Sequence, residues 1–264
     1  MLSDEQFIRY QRQVSLVEFG ENGQEKLLKS HALVIGCGGL GNAAALYLAA
    51  SGVGKLVLID DDIIESSNLQ RQVAFQYSDI GQTKTQALAN RIQKLNSDCD
   101  VRILTKKADY QQLVLEVMLA DIVLDCTDNF PSRQQINRAC FRNKTPLISA
   151  SAIGWNGQFV VFDFERSTDS GCYRCLFPFE DNIKGQRCSD SGVIGPVVGT
   201  MGNLQALAAI QKLATGNFMV PSHELKLFDG KTMNWQNLSM QQDISCPVCN
   251  EKESLFEQEC EVIE

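Results

Sequence analysis

At 264 residues the chain is long enough for a full core, and its 44% apolar and 21% charged content is ordinary for a soluble globular protein. A net charge of -8 argues against nucleic acid as the main partner, and no apolar run approaches the ~20 residues that span a bilayer. The start, Met1-Leu-Ser-Asp-Glu-Gln6, is polar and acidic, so no signal peptide is expected; the ten cysteines then point to a reducing, cytoplasmic setting, with free, metal-bound or catalytic thiols rather than disulfides.

Ser3 with Gln6 three residues on forms a capping box, which predicts a short helix over 4–12. Arg9 and Arg12 share one face of it, and from this segment alone a solvated basic face is favoured. A second short helix covers about 22–30. Then comes the stretch around which the chain is organised, from His31 to Lys84. An apolar run, Ala32-Leu-Val-Ile35, leads into Gly36-Cys-Gly-Gly-Leu-Gly41 and an Ala- and Leu-rich helix that stops at Gly52. A second apolar run, Lys55 to Ile59, ends in Asp60-Asp61-Asp62.

This is strand, glycine turn, helix, strand and acidic tip. Glycines let backbone approach a phosphate, and the helix opening at Leu40 points free N–H groups and its positive dipole end at it. Asp60 stands nineteen residues beyond Gly41, near the ~20 of a dinucleotide unit, where a carboxylate can accept from ribose hydroxyls. The pattern points to a nucleotide without saying which; a glycine turn that only packs helix on sheet is the alternative.

Residues 61–82 leave regular structure. A helix resumes at Thr83, with Leu88, Ile92 and Leu95 on one buried face. Lys84 lies in its first turn, where a cation opposes the helix dipole and a nearby anionic ligand would remove the conflict. Val101–Leu104 is a short strand and 110–119 a helix. Ile122 to Asn129 is a strand running into a polar tip, Pro131 starts the next helix, and Pro146–Ser151 is another strand. The alternation predicts an α/β, Rossmann-like, mostly parallel sheet with its ligand beyond the carboxyl ends of the strands. Gly36, Asp60 and Asp128 all fall at such ends. Antiparallel strands follow at Gln158–Phe164, Leu225–Phe228 and Trp235–Met240, with a long helix over 197–214 between the first two. A single domain over 1–250 is expected, followed by a frayed acidic tail, 251–264.

Cys172-Tyr-Arg-Cys175 and Cys246-Pro-Val-Cys249 are two C-x-x-C knuckles separated by seventy residues. Four thiolates in two such pairs suit tetrahedral Zn²⁺, which would clip the end of the chain back onto the loop after Phe164. Cys188 stands alone in a polar loop beside Arg187, whose guanidinium favours the thiolate; a reactive thiol and an idle surface thiol are equally open. Cys37, Cys126 and Cys140 fall in apolar segments and read as core, Cys99 as part of a surface turn, and Cys260 as tail.

Taken together, Arg9-Tyr-Gln-Arg12-Gln13, the glycine turn, Asp60, Ser67-Asn-Leu-Gln-Arg-Gln72, Lys84, Leu124-Asp-Cys-Thr-Asp128-Asn129 and both knuckles resemble the ubiquitin-activating superfamily, from Ser3 to Cys249. Cys172-Tyr-Arg-Cys-Leu176, Gly195-Pro-Val-Val-Gly199 and Leu227-Phe-Asp-Gly-Lys231 are most like its thiamine-pathway branch, with the molybdopterin-pathway branch as near sibling. The resemblance implies an enzyme that uses ATP and Mg²⁺ to adenylate the C-terminal Gly-Gly carboxylate of a ubiquitin-like sulfur-carrier protein of the ThiS type. By family position Gly36, Gly38, Gly39, Gly41, Asp60 and Asp62 bind the nucleotide, Arg71 and Lys84 hold phosphates, and Asn68 supports them. Asp128 holds Mg²⁺. Arg12 reaches the triphosphate from the other subunit of a homodimer, which reverses its reading as a solvated face. Cys188 takes the place of the thiol that passes the carrier on toward sulfur from a persulfide donor protein, although relatives that do not strictly use this thiol carry it too. No knuckle cysteine pairs with a plausible substrate site, so the zinc reads as structural, and the charge and apolar runs leave neither nucleic acid nor membrane as an expected partner.

Two readings of other classes remain: an NAD-dependent oxidoreductase, which the glycine turn and Asp60 alone would allow, and a non-catalytic, zinc-clipped interaction module. Against the first, only His31 and His223 are available as histidine acid–bases, and neither lies at a predicted strand tip.

Overall fold

The computed structural model describes residues 1–166, 171–178, 192–222 and 224–250. Cys188, His223 and the acidic tail 251–264 lie outside the described residues. Eight strands form one sheet: β1 (His31–Ile35), β2 (Lys55–Ile59), β3 (Asp100–Leu104), β4 (Ile122–Asp125), β5 (Leu147–Ile153), β6 (Asn156–Phe162), β7 (Glu224–Asp229) and β8 (Asn234–Ser239). Their order is β3-β2-β1-β4-β5-β6-β7-β8. The first five are parallel, and β6 to β8 continue antiparallel.

Eight α-helices, with two short 3-10 turns at Ser66–Asn68 and Tyr77–Asp79, complete the described fold: α1 (Asp4–Val14), α2 (Gly20–Lys29), α3 (Gly39–Ser51), α4 (Lys84–Leu95), α5 (Tyr110–Leu119), α6 (Phe130–Asn143), the single turn α7 (Tyr173–Leu176) and α8 (Gly195–Thr215). The central strands are apolar on both faces because both are covered. Side chains alternate: Ala32 and Val34 join one cluster with α3, α4 and α8, while Leu33 and Ile35 join the other with α5 and α6. The order reverses between β1 and β4, where a crevice opens at their carboxyl ends.

Two expectations needed adjustment. The stretch after Phe164, expected as a loop, contains helix α7 at Tyr173–Leu176. Cys99, expected in a surface turn, is buried at 1% exposure under the α4–β3 connection, where its carbonyl accepts from Gln93 Nε2 at 2.7 Å. Burial pushes its thiol up to about 12, so it is inert at neutral pH.

Candidate active site and thiolate cluster

The ends of β1, β2 and β4 meet in register, Ile35 lying between Ile59 and Asp125. Gly36 N donates to Ile59 O and Cys126 N to Ile35 O, both at 2.8 Å. Gly36 has φ +93°, and a Cβ there would lie 2.6 Å from Cys126 O. Side chains on Gly39 and Gly41 would run into Val198 and the Gly36 carbonyl. Those three glycines pack the turn. Gly38 differs: a Cβ on it would meet only Gln72 Nε2, at 3.9 Å. Gly38 is also the N-cap of α3, with no side-chain cap and no acidic residue in the first turn. The helix therefore presents uncapped N–H groups beside open space, which suits a phosphate. Gln72 Oε1, buried nearby, has no partner among the described residues.

Asp60 sits at the tip of β2. Its Oδ2 accepts from Cys37 N at 2.6 Å and its Oδ1 from Asp62 N at 2.8 Å. Each oxygen keeps a lone pair for a hydroxyl. Burial raises its pKa, and the Lys84 charge pulls against that. Lys84 is buried and pairs with Asp62 Oδ2 at 2.6 Å. Asp62 thus supplies an anion that offsets the conflict between Lys84 and the helix dipole.

Arg71 lies beside Gly39, its Nη1 donating to Ser67 O at 3.0 Å. Asn68 is buried, and its Oδ1 accepts from Glu65 N at 3.1 Å. Asn42, on the first turn of α3, fixes this loop by accepting from Ala74 N at 2.7 Å. Asp128 is exposed beyond β4, with Asn129 Nδ2 donating to it at 3.3 Å. The structure thus gathers Gly36 to Gly41, Asp60, Asp62, Asn68, Arg71, Lys84 and Asp128 at one end of the sheet. Arg12 stays apart, exposed on α1, whose neighbours Ser51 and Leu95 mark the opposite ends of α3 and α4.

A buried network under the Asp128 tip was not legible in the sequence. Asp125 accepts from Thr127 Oγ1 at 2.7 Å and Ser149 Oγ at 2.8 Å, with Arg133 Nη1 at 3.9 Å. Arg133 also donates to Thr127 O, and to Ala150 O at 2.9 Å. Gln205 Nε2 donates to the Asp125 and Ile148 carbonyls at 2.8 and 3.2 Å. The available signals were an Asp ending an apolar strand and Gln205 within the apolar run of α8.

The knuckles also come together. The four sulfurs of Cys172, Cys175, Cys246 and Cys249 lie within 4.8 Å of one another, with Cys172–Cys246 at 3.7 Å and Cys175–Cys249 at 3.3 Å. A tetrahedron of ~2.3 Å zinc–sulfur bonds has edges of about 3.8 Å, so the donor set fits that ion. Asn137 Nδ2 and Asp243 N donate to Cys172 and Cys175 sulfurs, each at 3.4 Å. Hydrogen bonding from Cys249, with help from Asn137, outweighs burial and holds the Cys172 thiol below its usual range, while burial pushes Cys246 up.

No helix among the described residues is long and apolar enough to cross a membrane. The chain is 49% identical to the sulfur carrier protein ThiS adenylyltransferase of Escherichia coli K12 over 249 residues, covering 94% of this chain and 97% of that one. It is 38% identical to the molybdopterin-synthase adenylyltransferase of the same organism, covering 95% and 99%. A crystal structure of E. coli MccB with ATP superposes with a TM-score of 0.75 at 25% identity, covering 91% of this chain and 76% of that one. Residues 10–248 match the model of the ThiF family, and the chain belongs to that family.

Proposed function

We propose that this protein is an ATP-dependent adenylyltransferase acting on the C-terminal Gly-Gly carboxylate of a ThiS-type sulfur carrier in thiamine thiazole biosynthesis. The observation that carries this is 49% identity across nearly the whole of both chains to an enzyme of that name. Residues 1–250 act as one adenylating unit in the cytoplasm, as a homodimer.

The carrier carboxylate attacks the α-phosphorus of ATP and pyrophosphate leaves. A carboxylate is already a nucleophile, so the site must orient and neutralise charge rather than supply a base. Asp60 would orient the ribose, and Gly38 with the first turn of α3 would receive a phosphate. Arg71 and Lys84 would take up phosphate charge, with Asn68 supporting them. Asp128 would hold Mg²⁺, which neutralises the leaving pyrophosphate. The four cysteines would hold Zn²⁺, which supplies a structural cross-link. Cys188 would then accept the activated carrier on its way to sulfur from a persulfide donor protein.

The molybdopterin carrier is the second reading, resting on the 38% relative. An oxidoreductase loses ground because His31, the only histidine among the described residues, lies at the opposite end of β1 from Gly36. The test is ATP–pyrophosphate exchange with each carrier. Exchange dependent on a ThiS-type carrier supports the proposal; exchange with the molybdopterin carrier alone transfers it to the sibling reaction. Absence of exchange with both rejects it.

A further inference from the structure

The thiolate cluster and the Asp128 tip are far apart in sequence but share one helix. Asn129 caps α6 through Ser132 N at 3.0 Å and directly follows Asp128. One turn on, Arg133 is tied to the Thr127 and Ala150 carbonyls. One turn further, Asn137 is fully buried. These three positions are four residues apart and form one stripe on a rigid helix. The stripe carries polar contacts at both ends, Asn137 to the Cys172 sulfur and Arg133 to the carbonyl of Thr127, the residue before Asp128, with the backbone of α6 joining them. A parallel run is partly aromatic: Gln134 Nε2 donates to Phe177 O at 2.9 Å, and the Phe177 ring lies 5.9 Å from Phe130 and 4.8 Å from Tyr173.

Asn137 is committed at both ends. Its Nδ2 donates to Cys172 Sγ at 3.4 Å, and its Oδ1 accepts from Tyr173 N at 2.9 Å. An amide donor is matched to a thiolate, the form in which a cysteine binds an ion. Helix α7 is a single turn, too short to hold its shape alone, so it depends on the cluster on one side and on α6 on the other.

We propose that Asn137 is a positioning residue that couples an ion held by the four cysteines to the Asp128 tip through α6, so that metal retention and Mg·ATP binding strengthen together. The proposal rests on the adenylation reading. Such a coupling is reciprocal: whatever the ion does for nucleotide affinity, the nucleotide does for ion affinity.

The test measures zinc release from the intact protein to a chromogenic chelator, with and without Mg·ATP, alongside calorimetry of Mg·ATP binding. The expected result is one zinc per chain, released on the order of 5-fold more slowly with saturating Mg·ATP. Asn137→Ala should release zinc faster and lose the effect of nucleotide. Equal release rates in the wild-type protein, under conditions where calorimetry shows nucleotide bound, overturn the coupling and leave adenylation standing. This comparison needs no variant, so it decides the matter even if Asn137→Ala does not fold. Full nucleotide sensitivity in a folded Asn137→Ala removes Asn137 from the coupling. Calorimetry showing no Mg·ATP binding overturns the adenylation reading, and the coupling with it.

Discussion

Lys84 Nζ lies 2.6 Å from Asp62 Oδ2, with the lysine side chain 8% exposed and the aspartate 66%. The ammonium heads α4, where the helix dipole disfavours it, and it also offsets the burial of Asp60. It is held at an unfavourable place beside the glycine turn by carboxylates that a phosphate can replace. Lys84→Met keeps the buried stem and removes the charge. Because Asp62 is mostly in water, losing the pair should cost at most about 1 kcal/mol. Pyrophosphate exchange should fall on the order of 10²-fold with thermal stability nearly unchanged. Exchange at the wild-type rate would remove Lys84 from the site.

Asp128 is exposed, and its hydrogen-bond partner is its neighbour Asn129. Among the described residues, no core side chain bonds to it. Asp128→Ala should leave circular dichroism and melting unchanged and lower exchange on the order of 10²-fold, through lost metal-bound charge. Near-normal exchange at saturating Mg²⁺ would show that the metal is held elsewhere.

The parallel half of the fold was legible because its punctuation is chemical. Gly36 ends β1, Asp60 ends β2, and an Asp-Cys-Thr-Asp-Asn tip ends β4, so the convergence of three segments could be read before any contact was known. The knuckles were legible because C-x-x-C spacing is local and repeated. Two features were not. Cys99 stands between Asp98 and Asp100 and looked exposed; only the packing of α4 on β3 buries it. The Asp125, Arg133, Ser149 and Gln205 network joins residues up to 80 positions apart, so it exists only once the sheet and α8 are assembled. Each member taken alone is an unremarkable polar residue.

His31 gives a pH prediction. Its Nδ1 faces the Leu119 carbonyl at 2.7 Å, so in the neutral ring that nitrogen carries the proton, and Nε2 is buried with no partner among the described residues. Burial, more than the nearby Lys55 and Arg102 charges, lowers its pKa below the usual 6.5, while the Leu119 carbonyl and Asp121 partly offset this. The unfolded ring therefore takes up a proton at higher pH than the folded one. Its contribution to stability is full above 6.5 and is lost as pH falls below 6.5 through the folded value. The denaturation midpoint should drop between about pH 7 and about pH 5, and drop less in His31→Gln. Parallel pH curves for the two proteins would assign the loss to other groups.

Cys188 lies outside the described residues, and the role proposed for it is a chemical expectation. Forming the acyl-adenylate joins a carboxylate to a phosphate and needs no thiol. Attack of the Cys188 thiolate on the acyl-adenylate would form a thioester as AMP leaves, and Arg187 beside it favours the thiolate. Cys188→Ser should keep carrier-dependent exchange and lose formation of carrier thiocarboxylate. The wild-type protein should give a thiol-sensitive adduct with the carrier by mass spectrometry. Thiocarboxylate made by the variant at the wild-type rate would leave the cysteine a bystander.

Among the described residues expected at the nucleotide site, Arg12 alone is kept away from the others. Helix α1 is docked by Gln13 Nε2 on Ser51 O at 3.0 Å, by Arg9 on Leu95 O at 2.6 Å, and by Tyr10 against Gly52. All three contacts are at the C-terminal ends of α3 and α4. The glycine turn is at the other end of α3, twelve residues from Ser51 to Gly39, or about 18 Å along the axis. Arg12 therefore cannot serve the site of its own chain without undocking α1. If it serves the site, it serves that of a second copy. Arg12→Ala and Arg71→Ala should each abolish exchange alone. A heterodimer of the two would hold one site with both arginines intact and one with neither. Random mixing at equal amounts should then restore about a quarter of wild-type exchange. Sedimentation should give a dimer. A monomer in solution, or mixtures as inactive as the separate variants, would confine Arg12 to the solvated surface.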